Sequence, residues 1–137
     1  MDPLYERRRI RIGYLIDTWV WVEYYYGHIP EIKGYIESDT IDLFTSVITL
    51  TEMVKFLSRT QDHGTVQKIV HEMGIRSLIV PVSREIAILA GGYSSEGFSG
   101  GIADTIILAT ARTGNHRIVT GDEHFKDLPD TIFIQHP

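Results

Sequence analysis

Four acidic side chains stand where predicted strands end or predicted helices begin: Asp17, Glu52, Asp104 and Asp122. Asp17 ends the first predicted strand, and Asp122 directly follows the fourth. Glu52 lies in the first turn of the helix after the second strand, and Asp104 lies near the start of the helix after a glycine-rich segment. In an open parallel sheet these positions share one edge, where ligands bind. We therefore expect the four carboxylates to converge.

Four gathered carboxylates repel one another, so each raises the free energy of ionising its neighbours. A hard divalent cation removes this conflict, because Mg²⁺ and Mn²⁺ prefer oxygen ligands and retain several waters. The pattern therefore predicts a site for Mg²⁺ or Mn²⁺.

Three of the acids also have an ordinary structural role open to them. Asp17 is placed to cap the helix that follows it, and Asp122 to cap a short turn at residues 122–125. Glu52 completes a capping box with Thr49 in the sequence TLTE. Taken singly, these acids do not require a metal.

Asp104 is harder to explain by helix capping. It shares one helical stripe with Ile107, Leu108 and Ala111, the stripe that should face the sheet. An acid on a buried stripe needs a partner, and no Lys or Arg lies one turn away.

The elements that must position these acids alternate between strand and helix. The predicted strands cover about residues 10–16, 41–47, 77–82, 117–121 and 131–135. The predicted helices cover about residues 18–26, 30–38, 49–57, 65–73, 83–90 and 102–113, with Gly74 and Gly114 ending two of them. Residues 91–101, with five glycines, form the most flexible segment. This order predicts an α/β fold with a mostly parallel sheet of about five strands and helices on both faces.

Composition restricts the classes of function. A chain of 137 residues predicts a single domain, residues 1–137, with a short basic extension at residues 1–9. The absence of cysteine excludes thiolate catalysis and Cys-ligated zinc, and we expect no membrane span, no signal peptide and a cytoplasmic protein. The formal charge of −5 means that a polyanionic substrate requires a local basic patch or a bound cation.

Several motifs resemble those of the PIN-domain ribonucleases, most closely the VapC-type toxins of VapBC toxin–antitoxin pairs. They are LIDTW at residues 15–19, TEM at 51–53, IADTIILATA at 102–111 and IVTGDEHF at 118–125. The resemblance covers roughly residues 10–135.

The resemblance implies a metal-dependent endoribonuclease that leaves a 5′-phosphate and a 3′-hydroxyl. The family's four catalytic acids match Asp17, Glu52, Asp104 and Asp122. Asp17, Asp104 and Asp122 would bind Mg²⁺ or Mn²⁺, and Glu52 would position water or act as a base. Thr18 and Thr120 would orient ligands or water. The implied partners are RNA, a cognate antitoxin protein and a second copy of the chain.

The sequence defines the residues that would hold RNA less clearly than it defines the four acids. Candidates are Arg84, Tyr93, Phe98 and the arginines of the N-terminal extension, although such arginines are more often only solvated. Aromatic residues cover every face of the first helix, at positions 19, 21, 24, 25 and 26. These predict a dimer contact or an antitoxin-binding groove.

Two alternatives remain at the level of sequence. A haloacid-dehalogenase-type phosphatase also places an Asp after its first strand, but it requires a second Asp where this chain has Trp19. A non-catalytic PIN-fold adaptor for RNA or protein would keep the fold without the reaction. His124 lies two residues beyond Asp122 and could face the site, although a surface role is the expectation for it.

Overall fold

The computed structural model describes residues 13–136, and the arginines of the N-terminal extension lie outside this range. Five strands are present: β1 (Gly13–Ile16), β2 (Asp42–Ser46), β3 (Leu78–Val80), β4 (Arg117–Thr120) and β5 (Thr131–Phe133). Six α-helices accompany them: α1 (Thr18–Tyr26), α2 (Pro30–Ile36), α3 (Val47–Leu57), α4 (His63–Arg76), α5 (Arg84–Tyr93) and α6 (Ile102–Gly114). Short 3₁₀ helices cover Ser94–Glu96 and Glu123–Phe125.

The strands form one parallel sheet in the order β3-β2-β1-β4-β5. The chain thus builds outward from β1, first through β2 to β3 and then through β4 to β5. The crevice between β1 and β4 is the point at which the strand order reverses, which is where open parallel sheets bind ligands.

Helices cover both faces of the sheet, because apolar side chains alternate between the two faces along the strands. Tyr14 and Ile16 of β1, with Val119 of β4, pack into a core shared with α1 to α4. Leu15 and Ile118 point to the opposite face, into a core shared with α5 and α6. The predicted α/β architecture is confirmed.

Two predicted boundaries near glycines are wrong. Helix α4 passes through Gly74 and ends at Arg76, because a glycine weakens a helix without necessarily stopping it. Gly91 and Gly92 belong to the last turn of α5, so this helix ends later than predicted.

The predicted capping box of Thr49 and Glu52 is also wrong. Helix α3 begins at Val47, directly after β2, and the hydroxyl of Ser46 accepts a hydrogen bond from the Ile48 amide at 3.3 Å. Thr49 is therefore buried inside the helix and Glu52 lies in its second turn.

Of the helices within residues 13–136, none combines the length and apolar composition required to cross a membrane.

Candidate active site

Asp17 lies at the carboxyl end of β1 and is 3% exposed. One carboxylate oxygen accepts a hydrogen bond from the Thr18 amide at 2.8 Å, so the predicted helix cap is confirmed. The other accepts from the Thr120 hydroxyl at 2.7 Å. These two bonds fix the carboxylate between β1 and β4.

The pKa of Asp17 is raised from 3.8 to about 7, chiefly because burial removes water from the charged form. The hydrogen bond from Thr120 opposes this rise, whereas the charges of Asp122 and Asp104 add to it. The three acids therefore lie close enough to interact, as their positions in the sequence predicted.

A compact cluster forms from Asp104, Asp122 and His124, each of which offers a ligand atom within 4.8 Å of the other two. The Nδ1 atom of His124 lies 2.9 Å from Oδ2 of Asp104 and 3.2 Å from Oδ1 of Asp122. Burial, followed by the charge of Asp122, raises the pKa of Asp104, and His124 opposes this rise.

His124 is thus the partner of Asp104 that the sequence did not identify. The surface position expected for His124 is only partly correct. Its side chain is 44% exposed, but it also contacts both acids. Asp122 also caps the 3₁₀ helix by accepting from the His124 amide at 2.9 Å, as predicted. This cap turns the His124 side chain back toward the cluster.

Glu52 joins the site through Thr18. The Thr18 hydroxyl donates to Oε1 of Glu52 at 2.7 Å, and the Thr49 hydroxyl lies 3.0 Å away. Because Thr18 directly follows Asp17, this bond ties Glu52 to the residue next to the buried carboxylate. Glu52 is not among the charges that raise the pKa of Asp17, which come from Asp122 and Asp104.

The loop after β4 links two of the acids. Thr120 donates to Asp17 and accepts from the Asp122 amide at 2.9 Å through the same hydroxyl. A Cβ atom at Gly121 would collide with three atoms of the Trp19 indole. The indole therefore lies directly on the loop backbone, and only glycine leaves room for it.

The donor set fits a hard divalent cation. Within the described residues, no Lys or Arg forms an ion pair with Asp17, Asp104 or Asp122. The cluster supplies carboxylate oxygens, which suit Mg²⁺ and Mn²⁺, and one imidazole nitrogen, which is a more usual ligand of zinc, copper, iron and nickel. A bound divalent ion would offset the mutual repulsion that adds to the effect of burial in raising the pKa of Asp17 and of Asp104.

The residues predicted to hold RNA occupy different environments. Arg84 is exposed at the first position of α5. Tyr93 is only 4% exposed and belongs to the core, so its ring does not present a free face to a base. Phe98 is partly buried against the same core.

The aromatic residues of α1 separate into core and surface positions. Trp21 is fully buried, whereas Tyr26 is 55% exposed. Tyr24 and Tyr25 line a cavity of about 590 Å³ together with residues of α2 and α4, including Lys33, Lys68 and Glu72. The hydroxyl of Tyr25 has no hydrogen-bond partner within the described residues.

The family model of the PIN domain matches residues 14–130. Among solved structures, a chain of a toxin–antitoxin complex from Klebsiella pneumoniae is 21% identical with a TM-score of 0.74, covering 89% of this chain and 98% of that chain. DNA-bound VapBC from Salmonella typhimurium gives 19% identity and a TM-score of 0.75, covering 90% and 98%.

A third similar structure is VapC20 of Mycobacterium tuberculosis, described as a sarcin–ricin loop cleaving toxin. It is 15% identical with a TM-score of 0.66, covering 90% of this chain and 98% of that chain. At these identities the similarity is one of fold. A comparison with curated protein sequences gave no match.

Proposed function

The chain belongs to the PIN domain family, and from this premise we propose that it is an endoribonuclease dependent on Mg²⁺ or Mn²⁺. We further propose that it is the toxin of a toxin–antitoxin pair and acts in the cytoplasm. The reaction is hydrolysis of an RNA phosphodiester bond.

One observation carries this proposal: carboxylates from three separated parts of the sequence interact at the β1–β4 crevice, where no Lys or Arg among the described residues pairs with them and His124 alone contacts two of them. A non-catalytic adaptor has no need to maintain this arrangement. Burying Asp17 beside two other acids costs free energy, and an ion that binds the cluster offsets this cost.

We assign metal binding to Asp17, Asp104 and Asp122. When bound, the ion would lower the pKa of a water and offset negative charge on the phosphoryl group. Thr120 holds Asp17 in a fixed orientation by its hydrogen bond, and it also holds the backbone of Asp122. The Thr120 hydroxyl thus holds Asp17 and Asp122 in fixed positions relative to each other, and we propose that it does not contact the substrate.

Glu52 would position the attacking water or accept its proton. Thr18 donates to one oxygen of Glu52, which leaves the second oxygen to accept from water. We therefore propose an orienting role for Thr18 and the role of the base for Glu52. His124 provides a further nitrogen beside Asp104 and Asp122, which is available to the ion or to the substrate phosphate.

An antitoxin partner is supported by two observations. Similar structures from Klebsiella pneumoniae and Salmonella typhimurium are toxin–antitoxin complexes. The cavity of about 590 Å³ beside α1 combines the Tyr24 and Tyr25 rings with charged side chains, and it is a suitable surface for a partner protein. We also propose a homodimer, by analogy with the family.

The proposal is tested by measuring Mn²⁺ binding and RNA cleavage for the wild type, Asp104→Asn and Asp39→Asn. Asp39 is exposed and precedes β2, at the opposite edge of the sheet, so it is the matched control. We expect Asp104→Asn to weaken Mn²⁺ binding by about 10-fold or more and to reduce cleavage at least as strongly, with Asp39→Asn unchanged.

Full RNA cleavage by the wild type after rigorous chelation would refute the metal mechanism. Equally weak Mn²⁺ binding by wild type and Asp104→Asn, together with RNA binding but no cleavage, would favour the adaptor. Sequencing the 5′ ends of the fragments distinguishes the expected 5′-phosphate from a 5′-hydroxyl.

A further inference from the structure

A second cavity, of about 380 Å³, directly adjoins the acidic cluster, and we call it the side cavity. It lies between the segment after α5, helix α6 and the 3₁₀ helix that follows Asp122. His124 lines it and also contacts Asp104 and Asp122, so one imidazole separates the two sites. Its volume falls within the roughly 300–1,000 Å³ typical of ligand sites.

The glycine-rich segment builds the aromatic wall of this cavity. The Phe98 ring packs 5.7 Å from the Phe125 ring and 6.5 Å from the Tyr93 ring. A Cβ atom at Gly100 would lie 2.6 Å from the Phe98 ring and 2.7 Å from Cβ of Asp104. Glycine at position 100 therefore allows the wall of the side cavity and the acidic cluster to meet.

The floor of the side cavity has unused hydrogen-bonding capacity. Tyr93 is 96% buried, lines the cavity, and has a hydroxyl without a partner within the described residues. The guanidinium of Arg112 lies 4.9 Å from the centre of the Tyr93 ring. A buried hydroxyl without a partner costs free energy, which a polar group that reaches it recovers.

The rim of the side cavity is acidic. Glu96, Glu123 and Asp127 line it, and Glu123 lies 3.8 Å from the Lys126 ammonium. Within the described part of the chain, the carboxylates of Glu96 and Asp127 form no ion pair or hydrogen bond. Inside the cavity, such carboxylates favour a neutral group that is rich in hydrogen-bond donors over an anionic one.

We propose that the side cavity binds an unpaired guanine base of the RNA, next to the phosphate that is cut; this inference rests on the proposed ribonuclease activity. Guanine alone among the four bases presents two neighbouring N–H donors on its Watson–Crick edge. The two oxygens of one carboxylate accept both. The guanine O6 atom accepts from Arg112, and the Phe98 ring, which lines the cavity and is only partly buried, contacts the base, as is usual for unstacked bases in proteins.

Cut-site sequencing of a randomised RNA pool tests this inference. We expect wild type to cut with guanine enriched at one fixed position within about two nucleotides of the cut. The double variant Glu96→Gln/Asp127→Asn should lose this enrichment by about fivefold or more, because one bidentate contact provides discrimination of this size. Enrichment is a ratio within one reaction, so it does not depend on the overall rate.

Glu85→Gln is the matched control, because Glu85 is an exposed acid in the first turn of α5 that does not line the side cavity. It should keep both the activity and the guanine enrichment. If wild type shows no enrichment near the cut, or if the double variant keeps it, the inference is wrong.

Binding of the nucleoside guanosine separates this inference from the proposed activity. In EDTA, saturation-transfer NMR should detect guanosine bound to wild type more strongly than adenosine, cytidine or uridine, and much less with the double variant. If no RNA is cut but guanosine binds selectively, the ribonuclease proposal fails and the base site stands. If N-acetylarginine amide binds and guanosine does not, the side cavity receives a basic protein side chain and the inference is overturned.

Discussion

At the scale of single residues, Asp17 combines a structural and a chemical role. It caps α1, bridges β1 to β4 through Thr120, and lies where its charge opposes those of Asp104 and Asp122. Its pKa of about 7 follows mainly from burial. The metal-free protein therefore retains a protonated Asp17 at mildly acidic pH, which has a measurable consequence for stability.

We predict that Asp17→Asn stabilises the metal-free protein above pH 7 by roughly 2–4 kcal/mol. In wild type, the Asp17 carboxyl loses its proton near pH 4 in the unfolded chain and near pH 7 in the folded chain. The destabilisation of the folded state by Asp17 therefore grows between these two pH values. It is absent below about pH 4. The amide accepts at one atom where the carboxylate accepts at two, which subtracts about 1 kcal/mol.

Urea unfolding in EDTA at pH 4 and pH 8 measures this effect. The stability difference between variant and wild type should be small or slightly unfavourable at pH 4 and favourable at pH 8. A difference independent of pH would show that Asp17 does not titrate in the expected range.

The positions of Asp17, Asp104 and Asp122 could be predicted because strand ends and helix starts are visible in the sequence. His124 could not be assigned in the same way. Its contact with Asp104 spans 20 residues and depends on how the 3₁₀ helix turns after Asp122. The register of Glu52 was misjudged because Ser46, rather than Thr49, caps α3.

At the scale of elements, a buried chain of hydrogen bonds ties α1 to β2 and α4. The Trp21 indole donates to the Thr45 hydroxyl at 3.1 Å, and Thr45 lies 2.7 Å from the Ser77 hydroxyl. Ser77 donates to the Met73 carbonyl at 2.8 Å. The last bond adds to the one that the Ser77 amide donates to the same carbonyl at 3.0 Å, so Ser77 is held to the end of α4 by two bonds.

We predict that Thr45→Val lowers the free energy of unfolding by about 1–3 kcal/mol, because it leaves the buried Trp21 N–H without an acceptor. Thr45→Ser is the control, since it keeps the hydroxyl and removes only a methyl group. Chemical denaturation of both variants checks the prediction. A valine variant as stable as wild type would mean that water replaces the lost acceptor.

At the scale of the whole molecule, the order of the strands could be anticipated only in part. The alternation of strands and helices predicted a parallel sheet and two covered faces. It did not specify that β1 lies at the centre with β4 beside it, because strand pairing depends on contacts between distant residues. That pairing brings Asp17 next to Asp122 and so determines where an ion would bind.

We predict that Mn²⁺ raises the melting temperature of wild type by several degrees, since an ion at 100 times its Kd stabilises the native state by about 2.7 kcal/mol. Differential scanning calorimetry at increasing Mn²⁺ checks this. Asp104→Asn should respond weakly and Asp39→Asn as wild type does. Equal shifts in all three proteins would place the ion elsewhere.

The chain contains only two tryptophans, and the fold gives them separate surroundings. Trp21 is enclosed in the core, whereas Trp19 is partly exposed and rests on Gly121, between Thr120 and Asp122. Intrinsic fluorescence can therefore be divided between two reporters. In the variant Trp21→Phe, the tryptophan emission comes from Trp19 and reports on the loop that carries Asp122. In the variant Trp19→Phe, it comes from Trp21 and reports on the integrity of the core.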